Sequence, residues 1–194
     1  MLVLIAGATG LGKSSLARVL RDHFSVASVL STSDVREALR SLADPVDHAE
    51  LFASTYKPDG VDEDLLCYFE RQSWLVMRAV SAVVRRSGRG VSISIVEGTH
   101  VTPSLLEMVE EDSVRVAVLL QPSASEHRRL LVERGLRDAE KPWVRYEESF
   151  RNIRAIGTHI ERTWRAVDTV PVQFIRHLND GAPMLIRDLI RVLP

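Results

Sequence analysis

Leu2-Val-Leu-Ile-Ala6-Gly7-Ala8-Thr9-Gly10-Leu11-Gly12-Lys13-Ser14-Ser15 runs from an apolar segment straight into a glycine-rich turn. The apolar residues fit a short buried strand, and Ser15 to His23 continues with helical periodicity. Between them stands G-x-x-x-x-G-K-S, in the strand-then-helix context in which that pattern forms a phosphate-binding loop. The glycines let the backbone turn tightly and aim successive N–H groups into one concavity. A helix beginning near Gly12 adds the positive end of its dipole to the same spot. Lys13 has the reach for β- and γ-phosphates, and the Ser14 hydroxyl suits a Mg²⁺ ion beside them. A nucleoside-triphosphate site is therefore predicted over Gly7 to Ser15, with ATP and Mg²⁺ as its ligands. No base-reading motif separates ATP from GTP.

The totals set the class around that loop. The 194 residues carry 25 Lys+Arg against 26 Asp+Glu, a formal net charge of -1. Such a balance argues against a general nucleic-acid or membrane-surface binder. One α/β domain spanning residues 1–194 is expected at this length, with a well-buried core. Lysine occurs only at Lys13, Lys57 and Lys141, so arginine supplies most of the positive charge. Cys67 stands alone, which excludes a disulfide framework and a Cys-rich metal site. No apolar run is long enough for a bilayer, and the first leads directly into the phosphate loop, so a cytoplasmic protein is expected. Nothing in the composition specifies an oligomeric state.

Strand and helix patterns alternate along the chain, the pattern of a parallel sheet covered on both faces. Further strands are expected at Val26–Leu30, Val91–Val96, Val114–Leu120 and Val170–Ile175. Helices are expected at Val35–Leu42, capped by Asp34, then from Asp62 to about Arg86, at Ser123–Val132, and from Trp143 to about Ala166. A terminal amphipathic helix is expected at Met184–Leu193. Residues 43–62 read as a surface excursion with a Lys57-Pro-Asp-Gly60 turn, and Ser87-Gly-Arg-Gly90 as a helix end. Trp74, Met77 and Cys67 read as packing residues.

Two carboxylates fall at carboxyl ends of predicted strands, where open α/β sheets gather their ligands. Asp34 follows the second strand and Glu97 the third. Either suits an attacking hydroxyl, and Glu97 also suits the water ligands of Mg²⁺. His100 follows as a phosphate donor or a turn histidine. Arg128, Arg129, Arg134 and Arg137 form an arginine-dense corner around Gly135, suited to a small lid over phosphates at about residues 125–145, and Arg145, Arg151 and Arg154 point toward the same region.

Five strands in this helix order resemble the small phosphate-loop kinases that act on nucleotides, shikimate or gluconate. That analogy implies a three-layer P-loop NTPase fold with sheet order 2-3-1-4-5. A sharper resemblance covers Gly7 to about Val170. Ser31-Thr-Ser-Asp34-Val-Arg36-Glu37-Ala-Leu-Arg40 is similar to the S-T-D-x-x-R-E-x-x-R segment of the 2-phosphoglycerate kinase family. Ser54-Thr-Tyr56, Tyr68…Gln72…Val76, Glu97-Gly-Thr-His100-Val-Thr-Pro103, Glu126-His127-Arg128-Arg129 and Arg154-Ala-Ile156 resemble that family's later blocks in the same order. Ser33 stands where the family has aspartate, and Leu130 where it has arginine.

The resemblance implies a Mg²⁺-dependent kinase that moves the γ-phosphoryl group of ATP to a hydroxyl of a small anionic metabolite. It makes 2-phosphoglycerate the leading acceptor and 2,3-bisphosphoglycerate the product. The expected catalytic set is Lys13, Asp34, Glu97, Arg128 and Arg134, with Arg137 on the nucleotide. Asp34, Arg36, Arg40 and His100 are expected on the acceptor, and Ser14 with Glu97 on the metal. Alternatives are the same fold with another acceptor (a mevalonate-type phosphate, a phosphonate, an antibiotic or a sugar-nucleotide hydroxyl) or a non-catalytic nucleotide-dependent switch.

Overall fold

The structure, a computed structural model, describes residues 1–56, 64–87, 93–110, 113–137, 143–176, 183 and 186–187. The apolar start of the chain forms β1 (Leu2–Ala6), buried along its whole length. It takes the centre of a five-stranded parallel sheet ordered β2-β3-β1-β4-β5. The other strands are β2 (Val26–Ser31), β3 (Ile93–Gly98), β4 (Val114–Leu120) and β5 (Val172–Ile175). This is the fold class expected from the sequence.

Strand alternation divides the core between the two faces of the sheet. Leu2, Leu4 and Ala6 pack with Phe69, Val76, Met77 and Val80 of α4 (Leu65–Ser87) and with Ile156, Ile160 and Trp164 of α7 (Phe150–Arg165). Val3 and Ile5 face the other way, onto Leu16, Ala17 and Leu20 of α1 (Lys13–His23) and onto Leu131, Phe150 and Ile153. Each fully buried side chain of this size contributes about 1.5–3 kcal/mol. Register sets Ala6 beside Gly98 of β3 and Leu119 of β4. The loops after β1 and β3 therefore leave the same edge together.

Several helix boundaries differ from expectation. Helix α2 spans Thr32–Arg40 and its N-cap is Ser31, whose hydroxyl accepts the Asp34 N–H at 3.5 Å. Asp34 is thus a first-turn acid rather than the cap; Thr32, fully buried, draws the helix start back toward the sheet. Residues 43–56 are more than a surface excursion. They form the short helix α3 (Ala49–Phe52), and Leu51 and Thr55 are buried. In α4, Cys67 is exposed, and Trp74 is half exposed with the Arg78 guanidinium over its ring. Only Met77 of the three expected packing residues is in the core.

The arginine-dense corner is helical. Helix α5 runs Ala124–Arg137, straight through Gly135, because the about 1 kcal/mol cost of an interior glycine is small beside the burial of Leu131. The long helix expected from Trp143 is instead α6 (Trp143–Glu148) and α7, broken at Ser149. The break lets Tyr146 pack on one face of the sheet while Ile156, Ile160 and Trp164 pack on the other. The Lys57–Gly60 turn, the helix start at Asp62, the stop at Gly88–Gly90 and most of the terminal helix at Met184–Leu193 lie outside the described residues. Among the described residues, no helix is long and apolar enough to cross a membrane.

Candidate active site

The loop after β1 passes twice through left-handed backbone, at Gly10 (φ 81°) and Gly12 (φ 79°), where a Cβ would be strained. Among the described residues, the N–H groups of residues 9–12 donate to no backbone acceptor. They converge with the unpaired first amides of α1, the arrangement that binds phosphate. Lys13 is buried, and its Nζ donates to the Ala8 carbonyl at 2.6 Å, so it lies back across the loop. Burial lowers its pKa from 10.5 to about 8; the nearby Glu97 carboxylate opposes that shift and Arg134 adds to it. An anion in the loop would favour the charged amine.

Glu97, near the end of β3, is buried against the same loop. Its Oε1 accepts the Ser14 hydroxyl at 2.8 Å. A hydroxyl and a carboxylate side by side are hard oxygen donors, and they fit Mg²⁺, which keeps its other positions for water and phosphate oxygens. Among the described residues, no group of three or more His, Cys, Asp or Glu side chains makes an all-protein metal cage.

Two cavities open at this edge of the sheet. The larger, about 990 Å³, is lined by residues 9–16 of the loop and α1, with Asp34 and Glu97. The second, about 440 Å³, lies between α2, the segment 52–56 and α7, and is lined by Arg36, Arg40 and His100. Ala8, which follows Gly7 in the loop, lines this second cavity. Thr9, Ser33, Thr99 and Arg134 line both. The two spaces therefore meet at three hydroxyls and one guanidinium.

The lining of the second cavity carries net positive charge, with Arg36, Arg40 and Arg134 against Glu37. Arg36 donates from Nε to Leu51 O (3.0 Å), from one terminal nitrogen to Ala53 O (2.5 Å), and from the other toward Thr55 Oγ1 (3.5 Å). Among the described residues it forms no ion pair, so carbonyls hold the guanidinium in place without cancelling its charge. Burial, and then Arg40, lower its pKa, yet an arginine in a protein stays protonated. Arg40 is partly neutralised by Glu37 at 3.0 Å and lies 5.4 Å over the Phe52 ring.

His100 corrects one expectation. Gln72 donates its amide N–H groups to the Glu50 and Ala53 carbonyls, which turns its Oε1 toward the histidine. His100 Nε2 donates to that oxygen at 2.8 Å. Burial, then Arg36 and Lys13, lower the His100 pKa to about 3. His100 is thus a neutral side chain of the cavity wall, with its Nε2 N–H engaged by Gln72.

The arginines of α5 separate by face. His127, Leu131 and Arg134 are spaced by four and three and share one side of the helix. Arg134 lines both cavities, with its guanidinium 5.9 Å over Tyr146. Arg128, about 100° further round, stacks 4.7 Å over Phe150 and lines neither cavity, contrary to expectation. Arg154 donates to the Pro122 carbonyl at 2.9 Å and Arg151 is exposed, and neither lines either cavity. The side chains of Arg137 and Arg145 lie outside the described residues.

Ser33, Thr99, Thr55 and Tyr56 line these cavities without having been singled out as ligands. The only signal for Thr55 and Tyr56 was the Ser54-Thr-Tyr56 block. His127 stands in the Glu126-His127-Arg128-Arg129 block. Its Nε2 donates to the Thr9 carbonyl at 2.8 Å, and burial lowers its pKa to about 4 despite that bond.

No family model matches the chain. It is similar to the 2-phosphoglycerate kinase of Methanocaldococcus jannaschii, 30% identical over 171 residues, covering 84% of this chain and 55% of that protein. It is also similar to the 2-phosphoglycerate kinase of Pyrococcus horikoshii, 26% identical over 197 residues, covering 98% of this chain and 64% of that one. The chain thus spans 55% and 64% of the length of these two curated relatives, less than two thirds of either. Among solved structures, a sugar kinase from a Janibacter species aligns with a TM-score of 0.61 at 13% identity, covering 99% of this chain and 93% of that chain. Shikimate kinase from Acinetobacter baumannii aligns at 0.55 and 14%, covering 98% and 90%. These two likenesses show the fold. In sequence, the chain is similar to archaeal 2-phosphoglycerate kinases over more than four fifths of its own length.

Proposed function

We propose that this chain is a kinase that transfers the γ-phosphoryl group of ATP to a hydroxyl of a small anionic metabolite, with 2-phosphoglycerate as the acceptor and 2,3-bisphosphoglycerate as the product. The observation that carries this reading is the meeting of two cavities at Thr9, Ser33, Thr99 and Arg134, one on the phosphate loop and one on the unneutralised Arg36. The archaeal relatives named 2-phosphoglycerate kinase support the choice of acceptor.

Phosphoryl transfer asks a protein mainly for positioning and charge stabilisation. The loop amides and Lys13 hold the donor phosphates. Ser14 and Glu97 would hold Mg²⁺, which would supply positive charge against the donor phosphates. Arg36, with Arg40 behind it, holds the phosphate or carboxylate of the acceptor, and Arg134 spans donor and acceptor where negative charge builds. The acceptor hydroxyl oxygen forms the new bond to the γ-phosphorus as the bond to the β-bridging oxygen breaks, and its proton leaves. Glu97 is engaged by Ser14, whereas the exposed Asp34 carboxylate lines the donor cavity without a side-chain partner among the described residues, so Asp34 receives that proton.

The test is phosphorus NMR of a reaction containing Mg-ATP and 2-phosphoglycerate. Two ester phosphates on one glycerate are expected. Turnover of a mevalonate-type phosphate or a phosphonate in place of 2-phosphoglycerate would keep the kinase and replace the acceptor.

A further inference from the structure

The Thr9–Gly10 peptide is gripped from behind. His127, fully buried on α5, donates from Nε2 to the Thr9 carbonyl across 118 residues of chain. The peptide is trans, so its C=O and N–H point in opposite directions. His127 does not line the donor cavity, whereas Thr9 and Gly10 do. The carbonyl is therefore tied on the far side of the loop and the Gly10 N–H faces the cavity. Among the described residues that N–H has no acceptor. Leu131, one turn along α5, closes the back of the same turn: a Cβ on Gly10 would meet its side chain at 2.2 Å.

We propose that His127 is a positioning residue of the nucleotide site, whose ring N–H fixes the Thr9 carbonyl and so presents the Gly10 N–H to a nucleotide phosphate. Arg134 stands on the same face of α5, so the bond also sets the helix that carries this arginine in register with the loop it overhangs. The inference rests on the kinase reading for the identity of the anion. His127 touches no substrate; it acts through the peptide it holds.

The test uses inorganic tripolyphosphate with Mg²⁺, a probe that sees the phosphate cradle and no base, beside Mg-ATP, both by titration calorimetry on the full chain. His127→Leu is expected to weaken both by the same factor, about tenfold, the size of one well-made hydrogen bond. His127→Gln, which keeps an N–H donor, is expected to recover most of the affinity. Val76→Ala, a cavity in the core on α4, is expected to lower the melting temperature and leave both affinities unchanged. In the wild-type protein labelled with ¹⁵N-glycine, the Gly10 amide resonance is expected to move on addition of tripolyphosphate, a readout that needs no variant. Wild-type affinity in His127→Leu, equal loss in Val76→Ala, or a Gly10 resonance that stays put would each overturn the assignment. A wild-type protein that binds neither probe would overturn the nucleotide site along with it.

Discussion

The Ser14 hydroxyl and the Glu97 carboxylate, 83 residues apart in sequence, meet at 2.8 Å beside the phosphate loop. Parallel register makes the contact: Ile5 lies beside Glu97, so the end of β3 faces the turn that follows β1. A hydroxyl and a carboxylate joined in this way would supply two of the six oxygen ligands of a Mg²⁺ ion. Glu97→Gln keeps an oxygen that accepts from Ser14 and removes the charge. Turnover is expected to fall by about 10²–10³-fold, the scale of losing one electrostatic element of a transition-state site. Saturation with Mg²⁺ should move to higher concentration, and the melting temperature should stay near wild type. Steady-state rates across a Mg²⁺ series check this.

Lys13 gives the nucleotide site a pH dependence. Its pKa in the free protein is about 8, and bound phosphates favour the charged amine, so the complex holds the proton to higher pH. Affinity for ATP is expected to be flat below pH 8 and to weaken above it, by up to about tenfold per pH unit. Calorimetry in buffers of different ionisation enthalpy should register proton uptake on binding above pH 8. Without nucleotide, the folded protein binds fewer protons at Lys13 than the unfolded chain between about pH 8 and 10.5. This group therefore makes stability rise with pH across that window, and Lys13→Met should remove that contribution and abolish turnover.

Arg36 and Arg128 should behave oppositely. Arg36→Lys cannot serve the two carbonyls and the cavity at once, because an ammonium lacks the planar fork. The KM of the acceptor is expected to rise by at least about tenfold with the KM of ATP little changed. Arg128→Ala removes a guanidinium stacked on Phe150 and is expected to leave both constants near wild type. Paired kinetics on the two variants separate an arginine that faces the cavity from one that does not.

Trp164 anchors α7 to the sheet. It is fully buried, and its Nε1 donates to the Val101 carbonyl at 3.0 Å, next to His100. Trp164→Ala is expected to cost about 3–5 kcal/mol, with a further penalty from the orphaned carbonyl. Urea unfolding followed by circular dichroism measures it.

What the sequence made legible is local. The phosphate loop was readable because Gly10, Gly12, Lys13 and Ser14 stand at fixed offsets between a strand and a helix. Alternating strands and helices pointed to a parallel sheet covered on both faces, and the resemblance to small phosphate-loop kinases implied its order. Asp34 and Ser31 are both good caps three residues apart, and only the burial of Thr32 against the sheet selects Ser31. Arg128 and Arg134 looked equivalent because a run of arginines does not say which face of α5 meets the loop; Leu131 decides that, through its contact with Gly10. The neutrality of His100 depends on Gln72, 28 residues earlier, and on the carbonyls that fix the orientation of the Gln72 amide. Such facts are tertiary, and no window of sequence contains them.

The most direct measurement is the rate of ADP release by the purified protein with Mg-ATP, in the presence and absence of 2-phosphoglycerate. A large acceptor-dependent increase, abolished by Lys13→Met and shifted to higher acceptor concentration by Arg36→Lys, is expected if the two cavities hold donor and acceptor. ATP binding with no increase for 2-phosphoglycerate or any other small phosphorylated acid would contradict the transfer reaction and leave a nucleotide-binding protein in its place.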